Sequence, residues 1–71
     1  MKKFTAKQKR QLKLVWEKVK RNQDLYWENI RLLEELATAS TGIKDIEIFH
    51  VDGEPVGFGT SGRDYELWDL T

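Results

Sequence analysis

Apolar residues recur along the first forty positions at helical intervals. Leu12, Trp16, Val19, Gln23, Tyr26, Ile30, Leu33 and Ala37 follow one another at spacings of 4, 3, 4, 3, 4, 3 and 4. That is a heptad stripe, apolar everywhere but at Gln23. Val15, Leu25, Trp27, Leu32 and Leu36 widen it beyond a narrow seam. Thr5 and Gln8 stand ahead of it at the spacing of a capping box, in which the hydroxyl accepts from the Gln8 amide and the Gln8 side chain accepts from the Thr5 amide. Gly42 follows as a left-handed C-cap. The pattern predicts a helical region over residues 5–40.

The polar stretch 21–24 is its one interruption. Asn22 is suited to cap the end of a first helix and Asp24 to start a second. No Gly or Pro stands there, however, and the heptad phase runs straight through, which favours one continuous helix. At 1.5 Å per residue such a helix would be about 54 Å long. A compact domain of this size should be roughly 29 Å across, from a radius of gyration near 11 Å. A continuous helix must then project, leaving Leu12, Trp16 and Val19 in need of cover. A second copy of the helix is the economical cover, so the long helix implies a homodimer. A helical hairpin permits a monomer.

Beyond residue 44 the period changes to two. Residues 45–51 alternate, with Ile46, Ile48 and His50 on one face and Glu47, Phe49 and Val51 on the other. Residues 52–55 form a turn, and 56–60 return. A four-residue loop pairs Val51 with Val56 and Phe49 with Phe58. A two-residue Asp52-Gly53 loop pairs Val51 with Glu54 and Glu47 with Phe58, so the longer loop is preferred. It puts Gly57 and Gly59 on the Ile46/Ile48 face, where a bulky group can approach closely. Residues 61–64 turn again, and 65–70 form a third strand with Tyr65 and Leu67 on one face and Trp68 and Leu70 on the other. Both sheet faces are apolar, and one helical layer covers only one of them. The expected fold is α+β: one domain over 1–71, with a long N-terminal helix or helical hairpin packed on a three-stranded antiparallel meander at 44–70.

Composition narrows the class. With 39% hydrophobic and 34% charged residues the chain is globular in type, neither disordered nor membrane-like. No apolar run approaches a membrane span, and no apolar stretch behind the N-terminal lysines serves as a signal peptide. The absence of cysteine excludes disulfides, thiolate metal sites and a cysteine nucleophile, and fits a reducing cytoplasm.

The formal charge is zero, from 12 basic and 12 acidic residues, but it is unevenly placed. Residues 1–21 hold nine Lys/Arg and one acid, Glu17, a difference of +8, while residues 22–71 hold three Lys/Arg and eleven acids, a difference of −8. Three readings compete: the basic segment faces phosphates, it faces an acidic protein (including a second copy), or it folds back on its own acidic half.

Candidate chemistry is sparse. His50 is the single histidine, with Asp52 and Glu54 nearby but no nucleophile at a defined spacing. It reads as a surface residue at a strand end. The pairs Glu34/Glu35 and Glu66/Asp69 read as solvated faces, and nothing has metal-ligand spacing. The run from Gly57 to Gly62 matches G-x-G-x-x-G, but the helix that must follow a dinucleotide fingerprint has no room, so these read as hairpin glycines. A weaker reading has the loop amides and Arg63 hold a small phosphorylated ligand. No enzyme activity, cofactor or metal is expected.

Three tryptophans in so small a chain point to a contact surface, and Leu12, Trp16, Val19 and Trp68 are its candidate residues. The expectation is a small cytoplasmic regulator or inhibitor that binds a protein partner, of the kind a phage or mobile element carries as an accessory. The alternative is a nucleic-acid-binding protein that lays Lys7, Lys9, Arg10, Lys13, Lys20 and Arg21 on phosphates without reading sequence.

Overall fold

A computed structural model describes residues 2–21 and 23–70, the side chains of 23–26 excepted. The elements in chain order are α1 (Ala6–Arg21), α2 (Gln23–Thr41), β1 (Ile46–Val51), β2 (Glu54–Thr60) and β3 (Trp68–Asp69). The three strands form one antiparallel sheet in the order β1-β2-β3. The α+β layout and the meander are as the pattern predicts.

The continuous helix is not what forms. The helical region divides into two, and α2 folds back so that Gln11 and Leu14 of α1 share a groove with Leu36 and Ser40 near the end of α2. Asn22 and the Asp24 side chain, proposed to cap this break, lie outside the described residues. Helix α2 is also kinked at Asn29, whose φ of −126° and ψ of 26° are not helical. The physical reason for the division is cover. Turning back lets both halves of the stripe face one core, which a straight helix of this length could reach only at one end. The radius of gyration is 11.0 Å and the extents are 31 × 23 × 19 Å. Among the described residues no helix projects, and the length argument for a homodimer loses its premise.

Both helix ends close as their residues dictate. The Thr5 amide donates to Gln8 Oε1 at 2.8 Å, and the Gln8 amide donates to Thr5 Oγ1 at 3.1 Å, completing the capping box. Gly42 takes φ +73° at the end of α2, and its amide donates to the Thr38 carbonyl.

The hairpin differs from the four-residue loop. Asp52 and Gly53 form a two-residue turn with φ of 53° and 82°, and Val51 lies opposite Glu54. Positive φ at both positions is what the right-handed strand twist favours, and Asp-Gly supplies it cheaply. The register then shifts between Phe49 and His50: His50 faces Pro55, but Phe49 faces Gly57. Val56 is the extra residue of a β-bulge. Its carbonyl accepts from the Leu70 amide at 2.8 Å, so the bulge leaves that acceptor satisfied. Beyond it Ile48 pairs with Phe58 and Glu47 with Gly59, which reverses the expected faces. Phe58 points into the core with Ile46 and Ile48. Gly57 and Gly59 lie on the opposite face, where the Phe49 ring sits against Gly59.

The core joins Leu12, Val15, Trp16 and Val19 of α1 to Ala37 of α2 and Ile46, Ile48 and Phe58 of the sheet, with Phe4 and Ile43 closing its ends. Phe58 and Leu12 are completely buried. Trp16 meets Phe58 edge-on, with ring centroids 5.6 Å apart at 71°. The Trp16 indole N–H is buried without a hydrogen-bond partner among the described residues. The third strand is shorter than the alternation predicts: only Trp68 and Asp69 join the ladder. Tyr65 instead forms a parallel bridge to Lys2 and stacks on Phe4 at 5.2 Å. The N-terminal arm thus holds the chain where the strand would otherwise continue.

Helix α2 lies along the free edge of β1. The Ile46 amide donates to Thr38 Oγ1 at 3.4 Å, and the Ile48 amide donates to Glu34 Oε2 at 3.2 Å. About two turns further back the Trp27 ring stacks on His50, centroids 5.6 Å apart at 23°. Unpaired edge amides invite foreign strands, and this face of α2 occupies them. Burial raises the Glu34 carboxyl above the ordinary carboxylate range. The Ile48 N–H opposes that rise, Glu47 adds to it, and His50 and Arg31 oppose it.

Two expectations follow. Trp16→Ala should destabilise the fold itself by about 3–5 kcal/mol, as other large-to-small core changes do. An unchanged urea midpoint in that variant would contradict its place in the core. The folded chain also binds a proton at Glu34 more tightly than the unfolded chain does. This contribution to stability is complete below the ordinary carboxylate pKa and is lost as pH rises through the raised one. Glu34→Gln keeps an acceptor for the Ile48 amide without the charge. Its urea midpoint should exceed that of the parent chain near about pH 7, and the gap should close towards about pH 4. A gap that widens on acidification would reverse the assignment.

Candidate interaction surface

Helix α1 sorts its residues into two faces. Leu12, Val15, Trp16 and Val19 are its buried residues. The rest of its circumference carries seven cations against the single acid Glu17. Lys7, Lys9, Arg10, Lys13, Lys18, Lys20 and Arg21 are all exposed. No ion pair between described residues ties any of them down. Folding back on the acidic half therefore does not neutralise the basic segment by direct pairing. Lys9 makes a contact with the Trp68 ring, its Nζ lying 5.8 Å from the centroid.

Leu14 stands in the middle of this cationic face and is 64% exposed. On an α-helix, residues one and two turns away share a face. Arg10 and Lys18 are four residues to either side of Leu14, and Lys7 and Arg21 are seven. One stripe thus reads cation, cation, leucine, cation, cation. Across the groove on α2, Leu32 is 61% exposed and Leu36 36%. Those two are four residues apart, so they also share a face. Leu14, Leu36, Gln11, Lys18 and Ser40 line one hollow of about 260 Å³ between the helices. The result is an apolar strip along the outside of the hairpin, bordered mainly by cations on α1, with Glu17 among them, and flanked on α2 by the exposed Glu28 and Glu35.

The sequence-derived contact set does not come together at the surface. Leu12, Trp16 and Val19 are 0%, 4% and 2% exposed, and their cover comes from the same chain. Trp68 pairs with Phe58 on the core face of the sheet and is half-buried against the cluster. The six cations of the nucleic-acid reading are all presented to solvent, together with Lys18. Leu14 was not part of either set. The signal for it was present: it lies two residues from Leu12, hence across the helix from the stripe, among lysines. Leu32, Leu36 and Trp27, expected to widen the buried face, are exposed instead. Among the described residues the apolar strip of α2 turned to the core is Ala37, with Ile30 and Leu33 partly buried; the side chains of Leu25 and Tyr26 lie outside the described residues.

The other candidate chemistry is dispersed. His50 is exposed on the outer end of β1, stacked on Trp27. Among the described residues no three of His, Asp and Glu come together as metal ligands. Gly57 and Gly59 lie within β2, with the Trp68 carbonyl and the Phe49 ring against them, so they form no phosphate cradle. Among the described residues no helix is long and apolar enough to cross a membrane. Compared with known protein families, curated proteins and solved structures, the chain matches none.

Proposed function

We propose that this chain is a small non-catalytic binding protein of the regulator or inhibitor type, working in the cytoplasm by docking its helical hairpin on an acidic, leucine-accepting surface of another protein. The observation that carries the reading is the setting of Leu14, exposed between Arg10 and Lys18 and sharing a groove with Leu36. Protein interfaces join an apolar centre to a polar rim, and the rim charges select the partner and speed its approach. The apolar strip supplies the centre, and Lys7, Arg10, Lys18 and Arg21 supply a mainly cationic rim on its α1 side. A surface of this kind favours a partner rich in Asp and Glu with an apolar ridge or amphipathic helix of its own. The acidic half of a second copy is one such surface, so the homodimer stays in view on new grounds.

Phosphates of nucleic acid are the second reading. The seven cations of α1, free of ion pairs among the described residues, favour it. Phosphates, however, make no use of the exposed leucines.

Two substitutions separate the readings. Leu14→Ala should leave the unfolding free energy within about 0.5 kcal/mol of the parent, since the side chain is exposed. It should weaken capture of an acidic protein partner by about 1–2 kcal/mol. Lys18→Glu should slow association, and added salt should mimic it. A fluorescent duplex titrated from about 50 to 200 mM salt tests the alternative. Tight binding that collapses with salt, unchanged by Leu14→Ala, would transfer the function to nucleic acid. Light scattering at tens of micromolar distinguishes a second copy from a foreign partner.

A further inference from the structure

The hairpin face does not use every cation the fold assembles. Lys2, Lys44 and Arg63 come from three separate stretches: the N-terminal arm, the loop between α2 and β1, and the turn between β2 and β3. Together they line one broad, open hollow of about 650 Å³ with Gln8, Thr41 and Asp64. None of these belongs to the leucine-centred strip.

The walls of this hollow are fastened by backbone hydrogen bonds. The Lys2 amide donates to the Asp64 carbonyl at 2.8 Å, and the Glu66 amide donates to the Lys2 carbonyl at 2.9 Å. The Ser61 amide donates to the Asp45 carbonyl at 3.2 Å, which joins the turn to the α2–β1 loop. Arg63 and Asp45 hold φ of 56° and 59°, a left-handed backbone that non-glycine residues adopt at some cost in energy. Arg63 is nevertheless the residue placed there, beside Gly62, which would take that conformation freely. Lys2 Nζ lies 5.9 Å from the centroid of the Tyr65 ring. No ion pair between described residues engages Lys44 or Arg63.

Three cations around one hollow repel each other, and one carboxylate leaves a surplus of two positive charges. An anion restores the balance. A dianionic phosphate matches the surplus, and Arg with two Lys is the donor set that phosphate recognition uses. Asp64 would repel a second phosphate but accepts from hydroxyl groups, and Gln8 both donates and accepts. The volume falls within the range of small-ligand sites. We infer that this hollow binds a small phosphorylated ligand bearing hydroxyl groups, of sugar-phosphate size, with Lys2, Lys44 and Arg63 on the phosphate and Asp64 and Gln8 on the hydroxyls.

The test is a titration of the ¹⁵N-labelled full chain with ribose 5-phosphate, ribose, inorganic phosphate and sodium chloride, followed at the amides of Gly42, Lys44, Gly62 and Arg63. Ribose 5-phosphate should produce saturable shifts at these positions, ribose alone none, and inorganic phosphate weaker binding. Lys44→Gln and Arg63→Gln should each weaken ribose 5-phosphate binding about tenfold, the effect of losing one charge-assisted contact. Lys44 is exposed in a loop, so that variant keeps the fold, and its unshifted core amides verify this. Shifts that sodium chloride reproduces at equal ionic strength would overturn the inference. So would equal affinity for inorganic phosphate, or parent-like binding by both variants.

Discussion

The core can close only because β2 carries one residue more than β1. Asp52-Gly53 makes a tight turn whose plain continuation would set Glu47 opposite Phe58 and turn Phe58 away from the helices. The bulge at Val56 slips the pairing by one, and a slip of one exchanges the two faces of a strand. Phe58 then stands beside Ile48 and meets Trp16, while the glycines pass to the outer face under Phe49. Turn chemistry and core composition make incompatible demands on a regular hairpin. The bulge satisfies both, and Leu70 satisfies the carbonyl it frees.

The same economy governs the helices. A chain of 71 residues has apolar groups for one core, and a small core is marginal unless it is well packed. Dividing the helical region gives α1 the deepest contacts and sends α2 along the edge of β1. There Thr38 and Glu34 accept strand amides that would otherwise face water or another chain. Glu34 is an expensive acceptor, since burial opposes its charge. Edge protection is thus obtained with a pH-dependent component.

Once α1 is committed to the core on one side, its cations have one direction left. The charge asymmetry of the sequence becomes a surface asymmetry, and among the described residues no ion pair cancels it on α1. The exposed Leu14 falls inside that cationic field, and the proposed protein-binding reading rests on it. The arm, loop and turn at the other end of α1 gather a second, smaller group of cations around a hollow.

Much of this was legible in residue pattern. The capping box at Thr5 and Gln8, the left-handed close at Gly42, the two-residue period after 44 and the +8 segment are local properties, decided by side-chain chemistry within a few residues. Three matters were not local. Whether the stripe through residue 22 runs on or turns back depends on which partner covers Trp16, and only the assembled core supplies Phe58. Which face Gly57 and Phe58 take depends on a bulge whose benefit is realised across the sheet, in contacts with α1. The grouping of Lys2, Lys44 and Arg63 depends on backbone bonds between segments far apart in the chain. The sequence by itself determined which stretches are helical, where the hairpin lies and where charge falls along the chain, because period and capping act over one or two turns, although it overextended the third strand and joined the helices. The tertiary structure alone decided what is buried and what is offered to a partner, because burial is settled by whichever apolar faces meet.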